Sequence, residues 1–217
     1  NTTGTITYEN IRLTNDCKYY SYVPEAINHD SVLFNLTDNK GNVVSDTTSI
    51  NFDEVEESGK CGQDVYWAMN NDGTLYIYGE GDIYIYPCSP WYSYKESIKT
   101  VKISNGITSI GWHAFYDCAN LTSITIPDSV TRIGYKAFSN CEKLTDITIP
   151  DSVTRILEGA FYDCASLTSI TIPDSITSIE NSAFENCTSL TSITIPDSIT
   201  SIESSTFENC TSLTSIT

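Results

Sequence analysis

A solenoid of short stacked units, preceded by a β-rich region, is the fold this sequence predicts. Three observations predict it. The second half repeats in phase every 23 residues; a unit that short cannot bury its own apolar face; and the apolar positions inside each unit alternate as in a strand.

The register does not drift. Phe115, Phe138, Phe161, Phe184 and Phe207 are evenly spaced, as are Cys118, Cys141, Cys164, Cys187 and Cys210, and Pro127, Pro150, Pro173 and Pro196. Five full units fit, the first imperfect, with Ile98, Val101, Ile103, Ile107 and Ile110 at the positions of Leu121, Ile124, Ile126, Val130 and Ile133. A sixth begins at Leu213 and stops at Thr217, so the chain is expected to be a fragment of a longer array or to have its open end covered by a neighbouring copy.

Within a unit, Leu121, Ile124 and Ile126 are expected to point inward while Ser123 and Thr125 stay outward, giving one strand per unit in a parallel sheet. Pro127 ends the strand because it has no N–H for the ladder, and Asp128-Ser129 supplies side-chain oxygens for a turn. Val130 and Ile133 return to the core. Ala137 and Phe138 are expected to open a short helical or 3-10 turn on the outer side, closed by Cys141.

The run Leu144-Thr145-Asp146-Ile147-Thr148-Ile149-Pro150-Asp151-Ser152-Val153-Thr154, followed by Gly159-Ala160-Phe161 and Cys164, resembles the BspA-like leucine-rich repeat. That resemblance implies a leucine-rich-repeat solenoid over residues 98–217. It also implies a place outside the cell or on its surface, and adhesion to a macromolecular ligand, since family members are bacterial and protist surface proteins associated with binding host proteins. The match departs from the commoner leucine-rich pattern where Ser129 and Ser152 replace the usual asparagine. Asp117, Asn140, Asp163, Asn186 and Asn209 offer a substitute ladder, expected to bond neighbouring backbone.

Upstream, residues 58–97 are similar to the segment that precedes the array in this family, through Cys61-Gly62, Asn71-Asp72-Gly73-Thr74-Leu75-Tyr76-Ile77 and Ser89-Pro90-Trp91-Tyr92. They read as a β-meander with turns at Asn71-Asp72-Gly73 and Glu80-Gly81-Asp82, capping the exposed first repeat. Residues 1–57 match no named family. Thr5 to Leu13 and Ser31 to Leu36 read as strands, Asp38 to Asn42 as a turn and Asp53 to Gly59 as an acidic linker, in a small β-rich region.

Eleven basic against 28 acidic residues give a net charge of −17, which argues against nucleic acid or an anionic membrane surface as partner. No apolar run approaches the roughly 20 residues of a spanning helix. The repeat cysteines should lie in a line rather than converge as tetrahedral zinc requires, so they read as small buried hydrophobes and no metal or cofactor is expected. Cys17, Cys61 and Cys88 stand outside the ladder as possible disulfide partners, Cys61 with either of the others.

Histidine chemistry would have to use His29 or His113. His113 falls at a repeat position otherwise held by Lys136, Gly159, Ser182 and Ser205, a variable set typical of an exposed turn, so the sequence points away from catalysis. Two surfaces are candidates for binding. One is the outward strand face: Thr122, Ser123, Thr125, Thr145, Asp146, Thr148, Thr168, Ser169, Thr171, Thr191, Ser192 and Thr194, suited to an extracellular protein or a glycan chain. The other is a tyrosine patch formed if two strands place Tyr76, Tyr78, Tyr84 and Tyr86 on one face, suited to stacking on sugars or anchoring a partner. A carbohydrate-binding or structural stalk module is thus the alternative to a protein-binding one.

Overall fold

The structure, a computed structural model, describes residues 55–84 and 88–217, together with the backbone of two short strands, β1 (Leu36–Thr37) and β2 (Val43–Val44). Those two pair antiparallel on either side of the expected 38–42 turn. The turn itself, the expected strand from Thr5, most of the one from Ser31, and Cys17, His29 and Tyr86 lie outside the described residues.

From residue 98 onward the chain is a β-solenoid. Alternation places Val101, Ile147, Ile170 and Ile193 inward on the strands β6 (Thr100–Ile103), β10 (Asp146–Thr148), β12 (Ser169–Thr171) and β14 (Ser192–Thr194), while their neighbours face solvent. These strands continue in parallel register: β6 pairs with β8 (Ser123–Thr125), and β10, β12, β14 and β15 (Ser215–Ile216) pair in turn.

The first four units also hold a second strand, one more than the sequence reading expected, which shrinks in the fifth to a single bridge between Ile179 and Ile202. The return of Ile110, Ile133, Ile156 and Ile179 to the core forms β7 (Ile107–Ile110), β9 (Arg132–Ile133), β11 (Arg155–Ile156) and β13 (Ser178–Ile179), a second parallel sheet. Between the sheets, the serine of three of the four Pro-Asp-Ser turns donates to a carbonyl one unit back, Ser152 to Val130 at 2.6 Å, Ser175 to Val153 at 2.7 Å and Ser198 to Ile176 at 2.6 Å, while Ser129 of the first accepts from the Gly106 N–H at 3.2 Å. A serine ladder therefore stands where the commoner pattern has asparagine.

The Ala-Phe segment is not helical; among the described residues the one 3-10 turn is Tyr92–Tyr94. Instead it forms a third ladder of alternate residues. The N–H groups of His113, Phe115 and Asp117 donate to the carbonyls of Tyr135, Ala137 and Ser139, and those of Lys136, Phe138 and Asn140 to Glu158, Ala160 and Tyr162. A helix would keep these N–H groups for its own unit. Two positions per unit have positive φ instead, His113, Lys136, Gly159, Ser182 and Ser205 at 50 to 62° and Asp117, Asn140, Asp163, Asn186 and Asn209 at 56 to 63°. Asn and Asp tolerate that left-handed conformation best among residues with a Cβ, which explains the Asx series. Its side chains bond one another rather than backbone: Asn140 Nδ2 donates to Asp117 Oδ1 at 2.6 Å and Asn209 Nδ2 to Asn186 Oδ1 at 2.8 Å.

Behind this ladder runs an aromatic spine. Phe115, Phe138, Phe161, Phe184 and Phe207 stack with ring centroids 5.3, 5.3, 5.4 and 5.7 Å apart. Beside it the thiols of Cys141, Cys164, Cys187 and Cys210 donate to the carbonyls of Phe115, Phe138, Phe161 and Phe184 at 3.0 to 3.3 Å. Each of those cysteines is thus a small hydrophobe, as expected, and also a weak donor to a carbonyl one unit back. Burial pushes Cys164 up to about 12 and raises the others.

The preceding sheet seals the spine, and it takes in most of the segment expected to be an acidic linker, since residues 55–60 are paired as a strand. Strands β3 (Val55–Lys60), β4 (Asp64–Asn70) and β5 (Thr74–Asp82) are antiparallel, and the expected turn at Gly73 closes the second hairpin, with Thr74 N–H donating to Asp72 Oδ1 at 2.8 Å. The turn expected at 80–82 does not form. β5 continues through it, because positive φ at Gly79 and Gly81 bends the strand without reversing it. Its first half then pairs with β6 and its second with β7, so one strand starts both sheets of the solenoid. Buried Trp91 stacks on Phe115 at 5.8 Å, and its indole N–H donates to the Ala114 carbonyl at 2.7 Å. In the later units a backbone N–H supplies that bond. Cys61 is a buried free thiol, so neither disulfide considered for it forms here.

Candidate functional site

All twelve residues of the expected strand face are exposed; those of β10, β12 and β14 lie on adjacent rungs of one parallel sheet, and those of β8, which pairs with β6, lie beside β10 without a strand pairing to it. The face is not chemically uniform. The threonine at the start of each strand turns its hydroxyl onto backbone of the previous unit: Thr122 donates to the Lys99 carbonyl, Thr168 to Thr145 and Thr191 to Thr168, at 3.1 to 3.3 Å. Those hydroxyls reinforce the ladder. Thr145 instead donates to Asp146 Oδ2 at 3.1 Å, and Ser123 to Thr100 Oγ1 at 3.3 Å. The central rows, Thr125, Thr148, Thr171 and Thr194 beside Ser123, Asp146, Ser169 and Ser192, present the outward groups of the sheet.

The four tyrosines do not share a face. Tyr76 is buried, packed with Ala68 on the outer side of the cap sheet, with Lys102 Nζ 5.5 Å from its ring. Tyr78 lies on the same side and stacks on Tyr66 at 5.8 Å. Tyr84 is elsewhere, 77% exposed beyond the end of β5, because the strand passes to the second sheet instead of turning back.

That displacement places Tyr84 beside a cleft the sequence reading missed. The cleft, of about 220 Å³, lies on the second sheet and is lined by Asp82, Ile83, Tyr84, Ser109, Ile110, Gly111, Trp112 and Arg132. Trp112 is 61% exposed, its ring edge-on to Tyr135 at 6.1 Å. Asp82 accepts from Thr108 Oγ1 at 2.7 Å and faces Arg132 at 3.9 Å. Hydrogen bonds from Thr108 and Ser109, with the Arg132 charge, outweigh slight burial and hold its carboxyl below the usual range. Next to the cleft, burial and the Lys136 charge lower the imidazole of His113, which stands edge-on to Tyr116 and Tyr135 at 5.3 and 5.2 Å. Among the described residues no three His, Cys, Asp or Glu side chains group as metal ligands, and no helix is long and apolar enough to cross a membrane.

A signal for Trp112 was present. The comparison that sets His113 among its repeat equivalents, moved one residue back, reads Trp112, Tyr135, Glu158, Asn181 and Ser204. Aromatics occupy the position in the first two units alone.

The repeat itself decides the family. Residues 89–217 match the BspA type leucine rich repeat region in six copies, more than half of the chain. The chain belongs to the BspA-type leucine-rich repeat family. The match begins at Ser89, so it takes in Trp91 and the 3-10 turn ahead of the first strand pair. No curated protein matches the chain. Among solved structures it is similar to a T. pallidum leucine rich repeat protein (27% identity, TM-score 0.55, covering 73% of this chain and 71% of that one). It is also similar to a leucine-rich repeat protein from Eubacterium ventriosum (28% identity, TM-score 0.52, covering 63% of this chain), less than half of whose length, 43%, it spans. The pneumococcal vaccine antigen PcpA, at 21% identity and TM-score 0.51 over 69% of this chain and 34% of that one, shares the fold.

Proposed function

We propose that this chain is a non-catalytic binding module, secreted or displayed on a cell surface, that holds a macromolecule against its outward strand face, foremost an extracellular host or matrix protein. The observation that carries the reading is the face itself. The strands β10, β12 and β14, in continuous parallel register at the roughly 4.8 Å rung spacing of a sheet and with β8 beside them, present paired rows of Thr and Ser, with Asp146 the one charge among the twelve. A broad, shallow array of modest hydrogen-bonding groups gives many weak contacts, which suits an extended partner better than a small molecule. Membership of a leucine-rich repeat family supports a role in protein interaction, and the family resemblance supports a location outside the cell. The net charge of −17 weighs against nucleic acid as that partner.

Surface plasmon resonance of the full chain over a panel of immobilised extracellular-matrix proteins tests the proposal. Thr148→Lys with Thr171→Lys puts two ammonium groups on adjacent rungs without touching the core. Saturable binding to a panel member that this pair weakens by at least about tenfold, roughly 1.4 kcal/mol, is the expected result. Binding that ignores the pair, or none across the panel, overturns it.

A further inference from the structure

The cleft on the second sheet has three properties that the solenoid does not require. First, its aromatic walls are dispensable to the fold, since Glu158, Asn181 and Ser204 hold the position of Trp112 in later units while the same strands and turn ladder continue through them. An indole left 61% exposed where Glu or Ser serves contributes little to stability. Second, a residue without a side chain lines it: Gly111, whose position is held by Gly134 in the next unit and by Leu157, Glu180 and Glu203 after that. Third, the polar groups on its wall include a donor and an acceptor held side by side, each about half exposed: the Arg132 guanidinium and the Asp82 carboxylate 3.9 Å away, with Ser109 beside them.

We propose that this cleft is a saccharide site, taking a single uncharged hexopyranose unit, as a free sugar or at the end of a glycan. Its size limits the occupant, as about 220 Å³ lies below the roughly 300–1,000 Å³ of drug-sized sites and leaves room for no more than a single ring. The chemistry suits it as well. The apolar face of a pyranose carries C–H bonds that pack on the open faces of Trp112 or Tyr84, and vicinal hydroxyls, each both donor and acceptor, match a carboxylate and guanidinium presented together. An apolar peptide anchor would leave Asp82 and Arg132 desolvated without new partners, and an anionic group would face Asp82. The site is separate from the strand face proposed above for protein binding, so either can fail alone.

Of the three tryptophans, Trp67 and Trp91 are buried and Trp112 is exposed, which gives a local reporter. Full-length protein is titrated with methyl α-D-glucopyranoside, methyl α-D-mannopyranoside, methyl β-D-galactopyranoside and methyl N-acetyl-β-D-glucosaminide, by tryptophan fluorescence and saturation-transfer NMR. At least one should give a saturable signal in the millimolar range or tighter. The double variant Gly111→Leu with Trp112→Glu copies Leu157-Glu158 into the first unit, so the fold should persist while the cleft fills. It should weaken that sugar at least about tenfold. Asp82→Asn, read by saturation transfer, should weaken it severalfold with the indole intact. No saturable glycoside overturns the proposal, as does sugar binding that survives the double variant. A protein ligand lost on Trp112→Ala, with no glycoside bound, overturns it in favour of a protein anchor.

Discussion

Replacing Phe161 by alanine should damage this molecule far more than the same change at Phe207, although both occupy the same repeat position. Phe161 is fully buried between Phe138 at 5.3 Å and Phe184 at 5.4 Å, whereas Phe207 is partly exposed and stacks on Phe184 alone, at 5.7 Å. Truncating a buried Phe removes its transfer free energy and leaves a cavity, together about 3–5 kcal/mol, with each stacked pair contributing roughly 0.5–1.5 kcal/mol of that. Topology adds to the difference. In a stack where each unit touches only its neighbours, a central defect weakens two interfaces and uncouples the units on either side, while a terminal defect frays one end. Phe161→Ala should therefore cost about 4 kcal/mol and Phe207→Ala about 1–2 kcal/mol. Urea unfolding followed by far-UV circular dichroism gives the two costs. Amide exchange then shows whether protection falls on both sides of residue 161 or only beyond residue 190. Costs within about 0.5 kcal/mol of each other would show that the phenylalanine column is not a cooperative spine.

Three further outcomes follow from the ladders. Iodoacetamide at mildly alkaline pH should leave Cys118, Cys141, Cys164 and Cys187 unmodified until the protein unfolds, with half-buried Cys210 the first of the repeat cysteines to react; peptide mass mapping reads this, and early labelling of Cys164 would refute its sealed position. Asn186→Ala forces a Cβ-bearing residue without an amide to hold φ near 61°, and should cost about 1–2 kcal/mol in thermal unfolding, while Asn186→Gly costs less although both lose the bond from Asn209. Equal costs would sink the conformational reason for the Asx series. The folded His113 binds its proton more weakly than the unfolded chain does, so stability should fall as pH drops through the ordinary imidazole value of about 6.5. His113→Ser, the residue at 182 and 205, should remove that part of the pH dependence, as urea midpoints between neutral and mildly acid pH would show.

Much of this architecture was legible because a repeat states each requirement several times. The inward isoleucines, the proline that ends each strand, the buried cysteines and the exposed Thr and Ser rows all followed from position within the unit. The second strand did not, because only two residues, such as Arg132 and Ile133, enter its ladder, too few to show alternation. The outer turn, expected as helical or 3-10, is neither; what decides against it is the pairing of alternate N–H groups with the following unit, a tertiary fact that leaves only the Asx series as its trace. The supposed turn at Glu80-Gly81-Asp82 failed for a similar reason. Glycine permits a positive φ, but whether that reverses a strand or bends it depends on what awaits beyond, and here two sheets await at once. The tyrosine patch was lost with that turn.

A regular array is a poor place to look for selectivity, because any contact one rung makes the next can make nearly as well. The outward Thr and Ser rows fit a long partner for that reason, and for the same reason they discriminate weakly among partners. Selectivity needs a place where the copies disagree at a position whose structural demand several residues satisfy, since only there can a side chain be chosen for something other than the fold. His113, Lys136, Gly159, Ser182 and Ser205 vary but share one backbone demand, a positive φ, so their variation is partly confined by it. Trp112, Tyr135, Glu158, Asn181 and Ser204 share no such demand, and their aromatic members fall together at the one end of the array where β5 delivers Tyr84 and Asp82 alongside. The junction between cap and first repeat is therefore where this chain departs furthest from its own rule, and where a specific ligand would be distinguished from a merely extended one.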